Sequence, residues 1–415
     1  MKTMKWNQYT KKLQNKNRVI LGNRYTGQWV KLSEECYQIL EKAINSDYTD
    51  EALLDRFLND ADKDYFRKLL DSLFLAGLIV EDQPTNMELH IDVALTHRCN
   101  LSCVHCCVDA DSLKGSDPLN TEQMKSVLQN IVKCGPKTIC LTGGEPLVRS
   151  DFKELLIFLG SIYDGDIRLM TNGTLIDQET AELIKEYISA VDISLDGVDE
   201  ASCSAVRGNG VFDRVINSVK VLQERGIENI SLSMVLTKDN YYLKDRFIAL
   251  NKLLGTLAAP RIFSPIGRGL QNVSMLSPSS DMQQEKEMQN INNISEDNLH
   301  MCSCGAVYRN FYINYKGEIF PCALLEQKRY LLGNILQVDS FKDFVDKRLY
   351  CTSEGYSNWD ALQPENHAFC NECNVNLFCW HCLHFLDLTG DNEKYFSVEC
   401  KSIKKALTKV LWGEE

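Results

Sequence analysis

Cys99-Asn100-Leu101-Ser102-Cys103-Val104-His105-Cys106-Cys107 follows a strand-like apolar run, Leu89 to Leu95, and spaces three thiols as C-x3-C-x2-C. Three thiolates leave one iron of a [4Fe–4S] cube without a protein ligand, whereas a closed structural metal site takes four. A three-thiol loop at the C-terminal end of a strand is therefore a place where another molecule completes the coordination. A zinc loop, or three unrelated buried thiols, is the alternative that this spacing leaves open.

Outward from this loop, strand-like and helix-like segments alternate. Thr138 to Leu141, Ile167 to Thr171, Val191 to Leu195, Ile230 to Leu236 and Arg261 to Ser264 read as buried strands. Thr121 to Cys134, Asp151 to Tyr163, Asp177 to Tyr187, Phe212 to Arg225 and Tyr241 to Leu254 read as amphipathic helices between them. Repeated βα units predict a parallel sheet with right-handed crossovers and functional groups at the C-terminal strand ends. Those ends carry Gly143-Gly144-Glu145-Pro146, then Thr171-Asn172-Gly173, then Ser194-Leu195-Asp196-Gly197, with Arg207-Gly208-x-Gly210 beyond. Glycines let backbone approach a ligand, and a carboxylate accepts from an ammonium group. Each piece alone reads as a turn; in this order, at consecutive strand ends downstream of the thiols, they form one constellation.

That constellation resembles the radical S-adenosylmethionine (radical SAM) superfamily. The resemblance implies an α/β fold, a partial (β/α)6 TIM-like barrel. Cys99, Cys103 and Cys106 would hold a [4Fe–4S] cluster whose fourth iron is chelated by the amino and carboxylate groups of S-adenosylmethionine. An electron from the cluster then cleaves the sulfonium to a 5′-deoxyadenosyl radical. Gly143, Gly144, Glu145 and Pro146 would meet the methionine amino group, and Thr171, Asn172, Ser194 and Asp196 the ribose or the methionyl carboxylate, with Arg207 at a matching distance. The residue before the third cysteine is commonly aromatic in the family and packs near adenine. Here it is His105, which implies stacking by an imidazole, while the extra thiol Cys107 is expected to point away.

A second cysteine series runs Cys304-x12-Gly317-x4-Cys322, then Cys370-x2-Cys373-x5-Cys379-x2-Cys382, then Cys400. It resembles the SPASM extension of peptide-modifying radical SAM enzymes, which holds two auxiliary [4Fe–4S] clusters; zinc is the alternative for any C-x2-C pair. By motif position Cys370, Cys373, Cys379 and Cys400 would hold the outer cluster and Cys304, Cys322 and Cys382 the inner one. The last pair in the family is more often three residues apart, and here Trp380 and His381 alone separate Cys379 from Cys382. Cys302 either closes the inner cluster or leaves an iron free for a substrate thiolate; Gly305-Ala306 after Cys304 favours Cys304 as the ligand. The expected cofactors are thus three [4Fe–4S] clusters and S-adenosylmethionine. Cys36, Cys134, Cys140, Cys203 and Cys351 read as packed thiols.

At the N-terminal side, Arg18-Val-Ile-Leu and Gln28-Trp-Val-Lys-Leu flank a turn-forming stretch and predict a hairpin. Ser33 caps a helix, and Asp50 to Leu58 and Lys63 to Ala76 predict two more. This resembles a small winged helix-turn-helix of the kind that binds the leader of a ribosomally made peptide by strand addition. A DNA-binding winged helix is the alternative. The division expected is a recognition domain over 1–85, the barrel over 86–295 and a SPASM domain over 296–415, with a polar connector, Asp281 to Asn293, before the second cysteine series.

Composition narrows the classes. The chain has 415 residues, 44% hydrophobic and 25% charged, with a net charge of −12, which argues against general affinity for nucleic acid or anionic membrane. The first acidic residue is Glu34, after eight lysines and arginines, so the first domain presents a basic face. The start lacks a secretory apolar core and the longest apolar run, Ser72 to Val80, is too short to span, which predicts a cytoplasmic protein. Seventeen cysteines in a reducing compartment, clustered as they are, point to metal.

The expected activity is that of a radical SAM maturase of the sactipeptide or ranthipeptide type. It would form a crosslink, foremost a cysteine thioether, in a ribosomally synthesised precursor peptide, with a flavodoxin- or ferredoxin-type electron donor. The alternatives are a carbon–carbon crosslinking maturase, a sulfatase-maturating-type protein oxidase and a non-catalytic iron–sulfur redox regulator. No sequence feature singles out a catalytic base.

Overall fold

The computed structural model describes residues 2–81, 88–111, 113–272, 295, 299–301, 304–379, 382–390 and 399–413. Cys302, the 281–293 connector, Trp380 and His381 lie outside the described residues. The chain forms two compact units, each assembled from segments distant in sequence: 1–87, 286–308 and 359–415 in the first, 88–285 and 309–358 in the second.

The first unit begins with β1 (Lys5–Trp6), β2 (Thr10–Asn15), β3 (Arg18–Asn23) and β4 (Trp29–Ser33), followed by α1 (Glu34–Asn45), α2 (Asp50–Leu54), α3 (Asp60–Leu75) and β5 (Ile79–Val80). The expected hairpin is a three-stranded antiparallel sheet in the order β2-β3-β4. Its extra strand, Thr-Lys-Lys-Leu-Gln-Asn, has only Leu13 as an apolar signal, which is why periodicity passes over it. Ser33 caps α1 by accepting from Cys36 N. Alternation along β3 divides its side chains between two cores. Val19 and Leu21 join the helices through Leu40, Phe66 and Leu73. Ile20 and Leu13 face Phe378, Leu411 and Trp412 from the C-terminal segments.

The second unit carries β6 (His90–Thr96), β7 (Thr138–Gly143), β8 (Asp166–Thr171), β9 (Ala190–Ser194), β10 (Ile230–Leu236) and β11 (Leu257–Ile262). Between them run α4 (Thr121–Val132), α5 (Phe152–Ile162), α6 (Gln178–Tyr187), α7 (Glu200–Arg207), α8 (Val211–Glu224) and α9 (Lys244–Leu254), with α10 (Arg268–Gln271) after β11. The six strands are parallel and in sequence order. β11 starts four residues before the expected Arg261, because Leu257-Ala-Ala-Pro includes Pro260. Proline is tolerated there because β11 lies at the sheet edge.

The sheet does not end at β6. β12 (Asn310–Ile313) adds parallel to it, with Tyr312 opposite Asp92, and β13 (Glu318–Phe320) and β14 (Gly333–Asn334) continue antiparallel, so the nine-stranded sheet is mixed. α11 (Phe341–Asp346) packs beside α4. The first unit is completed by α12 (Asn376–Cys379), α13 (Leu383–Thr389) and α14 (Glu399–Trp412). Among the described residues no helix is long and apolar enough to cross a membrane.

Candidate active site

The loop after β6 is closed on itself by backbone: Cys99 N donates to Asp111 O at 2.9 Å and Asp111 N to His97 O at 2.9 Å. The His97 ring reinforces the closure, its nitrogens 3.0 Å from Asp111 Oδ2 and 2.8 Å from Val108 O, and it stacks on Tyr315 at 4.7 Å. Cys103 is buried, Cys99 and Cys106 are half-buried, and the three thiols lie within electrostatic reach of one another. Cys107 is exposed.

Each of the three sulfurs already meets an N–H donor. Leu101 N and Asn172 Nδ2 reach Cys99 Sγ at 3.4 and 3.7 Å, Arg207 Nη1 reaches Cys103 Sγ at 3.7 Å, and Ala110 N reaches Cys106 Sγ at 3.4 Å. Donors aimed at sulfur stabilise the negative charge of cluster thiolates. Three thiols, each with an N–H donor at sulfur, fit an iron–sulfur cluster that leaves one iron to another ligand.

Gly143 and Gly144 press β7 onto this loop. A Cβ on Gly143, at φ +135°, would lie 2.3 Å from Thr96 O, and one on Gly144 2.3 Å from Arg98 O. The bare backbone instead donates from Gly144 N to Thr96 O and from Glu145 N to Arg98 O, both at 2.8 Å. Glu145 is fully buried, its Oε1 accepting from Thr171 Oγ1 (2.7 Å) and Leu147 N (3.1 Å), its Oε2 from Asn172 N (2.6 Å). Burial pushes its carboxyl up, against these three donors. The carboxylate thus joins the ends of β7 and β8, with Pro146 opening the short 3-10 turn behind it. Asn172 continues outward, donating to Asn100 Oδ1 at 2.9 Å.

The end of β9 supplies the most heavily bonded carboxylate. Asp196 is fully buried at φ +58°, and its Oδ2 accepts from His105 Nε2 at 2.7 Å and from Arg207 Nε and Nη2 at 2.6 and 2.5 Å, while Val235 N donates to Oδ1. Burial opposes the charge, but Arg207 and His105 more than offset it and hold the carboxyl well below the usual carboxylate range. Ser194 ends β9 in register with Ser233. These contacts link Cys99, Asn172, Thr171 and Glu145 in one network and Cys103, Arg207, Asp196 and His105 in another, while Ser194 is placed only by its register.

One participant escapes sequence reasoning. Gly267-Arg268, after β11, clasps the same loop from the far edge of the sheet. Arg268 N donates to Cys106 O at 2.9 Å, and its guanidinium to Cys103 O at 3.1 Å and Ala110 O at 2.8 Å. A Cβ on Gly267 would lie 2.4 Å from Cys107 O. The available signal was another glycine-bounded polar residue just past a strand.

Of the second cysteine series, Cys370, Cys373 and Cys400 lie within electrostatic reach of one another in the first unit. Cys379 ends α12 and packs with Cys373 on the core that holds Phe378 and Trp412. Cys382 caps α13. Cys304 belongs to the first unit, and Cys322, which follows β13, to the second.

Residues 93–242 match the Radical SAM superfamily. That stretch is a radical SAM domain. Residues 302–374 of this radical SAM protein match SPASM, an iron–sulfur cluster-binding domain. A radical SAM domain binds S-adenosylmethionine and a [4Fe–4S] cluster, and a SPASM domain binds further iron–sulfur clusters. The chain is 28% identical over 313 residues to the antilisterial bacteriocin subtilosin biosynthesis protein AlbA of Bacillus subtilis, covering 71% of this chain and 67% of that one. It is 28% identical over 300 residues to the mycofactocin maturase MftC of Mycolicibacterium smegmatis, covering 67% and 74%. SuiB of Streptococcus suis, solved bound to S-adenosylmethionine, has the same fold, with a TM-score of 0.56 at 17% identity over 92% of this chain and 96% of that one.

Proposed function

We propose that this radical SAM protein matures a ribosomally synthesised peptide by forming a crosslink, a thioether between a substrate cysteine and a carbon of another residue. The observation that carries the reading is the joining, in one chain, of the radical SAM strand-end constellation, the SPASM cysteines and a small N-terminal sheet with three helices. Two relatives of matching extent bear on it by name, one a mycofactocin maturase and one a protein of subtilosin bacteriocin biosynthesis.

In this reading Cys99, Cys103 and Cys106 hold the first cluster, and the other two draw on the C-terminal cysteines, three in all. Cluster and S-adenosylmethionine, when bound, supply the 5′-deoxyadenosyl radical that removes a carbon-bound hydrogen. The chain's own residues prepare that place. Gly143 and Gly144 offer backbone to the methionine ammonium with Glu145 buried behind them. Thr171, Asn172, Ser194 and Asp196 line the ribose and carboxylate side, and His105 is held edge-on by Asp196 rather than free to rotate.

The N-terminal elements act as a winged helix-turn-helix that captures a leader peptide. The sheet order places β2 and β4 at its edges, with no strand beyond them among the described residues, and an edge strand accepts an extended peptide. Lys12 of β2 suits an acidic leader, Lys11 being paired with Glu365. Anaerobic incubation of reconstituted protein, reductant and S-adenosylmethionine with a precursor peptide encoded beside its gene tests the reading. Loss of two hydrogen atoms per bond, with the cysteine blocked to alkylation, is the expected result; an unmodified peptide refutes it.

A further inference from the structure

The strand that extends the barrel past β6 brings a glutamate to the mouth of the cluster loop. Tyr312 on β12 and Asn314 just after it donate to Glu326, Oη to Oε2 and Nδ2 to Oε1, each at 3.1 Å. Tyr312 is 2% exposed and fixed in register against Asp92, so the phenol is a rigid support. Glu326 itself is half-buried. The Cys107 thiol, pushed up by burial, lies within its electrostatic reach, so the carboxylate stands beside the cluster loop.

Most other carboxylates around this mouth are neutralised. Asp117 is paired with Arg98, Asp151 with Arg149, Asp192 with Arg168, and Asp196 with Arg207. Glu326 has no lysine or arginine partner among the described residues, only the two neutral donors. Each of its oxygens therefore keeps a lone pair unused. The titratable groups that face it are Tyr312 from β12, Glu318 from β13, and His97 and Cys107 from the cluster loop. Burial raises its carboxyl above the ordinary glutamate range, the direction that suits a proton acceptor near neutral pH. Asp92 and Glu145 are also without a cation at hydrogen-bonding distance, but Glu145 is fully buried among three neutral donors, and Asp92 lies four residues before the strand end, roughly 13 Å deeper at about 3.3 Å per residue.

We propose that Glu326 is the proton acceptor of the crosslinking step, receiving the thiol proton of the substrate cysteine as sulfur joins carbon. The O–H bond forms on a carboxylate oxygen, the S–H bond breaks, and its electron pair stays on sulfur. This transfer moves no net electron. The one-electron oxidation that completes the new bond falls to an iron–sulfur acceptor of the same protein. The inference rests on the peptide-crosslinking reading.

The test uses full-length reconstituted protein, wild type, Glu326→Gln and Glu326→Asp, with a precursor peptide that the wild type crosslinks, expressed in deuterated medium. Deuterium transfer into 5′-deoxyadenosine reports hydrogen abstraction, and alkylation-resistant product reports bond formation. The expected result for Glu326→Gln is wild-type iron content, persisting deuterium transfer and about a hundredfold slower crosslinking, partly restored in Glu326→Asp. Crosslinking at the wild-type rate in Glu326→Gln overturns the proposal, as does loss of deuterium transfer together with product, which would make Glu326 a peptide-positioning residue. A wild type that crosslinks no peptide refutes the function instead. Infrared titration without peptide then decides the residue: the carboxyl band absent from Glu326→Gln must titrate above the ordinary glutamate range, and titration within that range overturns the assignment.

Discussion

His105 Nε2 lies 2.7 Å from Asp196 Oδ2 across 91 residues of sequence, and the same oxygen takes both a side nitrogen and a terminal nitrogen of Arg207. One carboxylate therefore fixes the orientation of the residue before the third cysteine and of the guanidinium beside Cys103.

Asp196→Asn keeps the shape but leaves the Arg207 charge buried without its counter-charge, which costs about 3–5 kcal/mol. The pH dependence has a definite sign. Asp196 is depressed in the fold, so its contribution is present above the unfolded value of about 3.9 and lost only as pH falls through the lower folded value. Denaturant titrations of wild type and variant should show the full gap at pH 7 and at pH 5; a gap already closed at pH 5 contradicts the arrangement.

Asp92 has the opposite sign. Burial raises its carboxyl to about 6, so its favourable contribution is complete below the unfolded value and lost as pH rises through about 6. Asp92→Asn is expected to stabilise the protein at pH 8, on the order of 1 kcal/mol after allowance for its partial exposure, and to be neutral at pH 4. Thermal melts at the two pH values measure this.

Gly144→Ala places a methyl where Arg98 O already stands, 2.3 Å away. Beyond an overpacking cost of about 1–3 kcal/mol, the displaced loop should lose the first cluster while the iron bound by the C-terminal cysteines remains. Iron analysis after anaerobic reconstitution and the loss of S-adenosylmethionine cleavage are the readouts. Unchanged iron and cleavage would show that the loop does not depend on this contact.

Removing residues 1–85 is expected to do more than abolish peptide capture. It strips Leu13, Ile20 and Trp29 from the core shared with Phe378 and Trp412, beside Cys373 and Cys379. Truncated protein should lose auxiliary iron along with peptide modification. A truncated chain with its full iron would mean that this core is dispensable.

The strand-end motifs were legible because each joins a glycine or a short polar residue to the end of a buried apolar strand, a local signal. Glu145 and Asp196 were found for that reason, yet their geometry was not: nothing local says that Glu145 turns inward to Thr171 or that Asp196 gathers His105 and Arg207. Arg268 and Glu326 were missed because their partners, Cys103, Ala110, Tyr312 and Asn314, are set by pairing across the sheet. β12 was hidden for a related reason. Asn310-Phe-Tyr-Ile reads as one more short apolar run, and only its pairing with β6 makes it part of the barrel. Thr10–Asn15 is a strand held by β3 and by Leu13 alone, a tertiary choice that its polar residues do not announce.

The interleaving of the first unit also sets an order of events during synthesis. The β2-β3-β4 sheet leaves the ribosome long before Leu407, Leu411 and Trp412, which cover Leu13 and Ile20. At about 5–20 residues per second the sheet waits roughly 20–75 s for its cover, while the locally connected βα units emerge and fold in between. A ribosome that stops short of α14 releases a chain whose barrel has formed but whose N-terminal sheet shows an apolar face, a substrate for chaperones and proteases rather than a partly active enzyme.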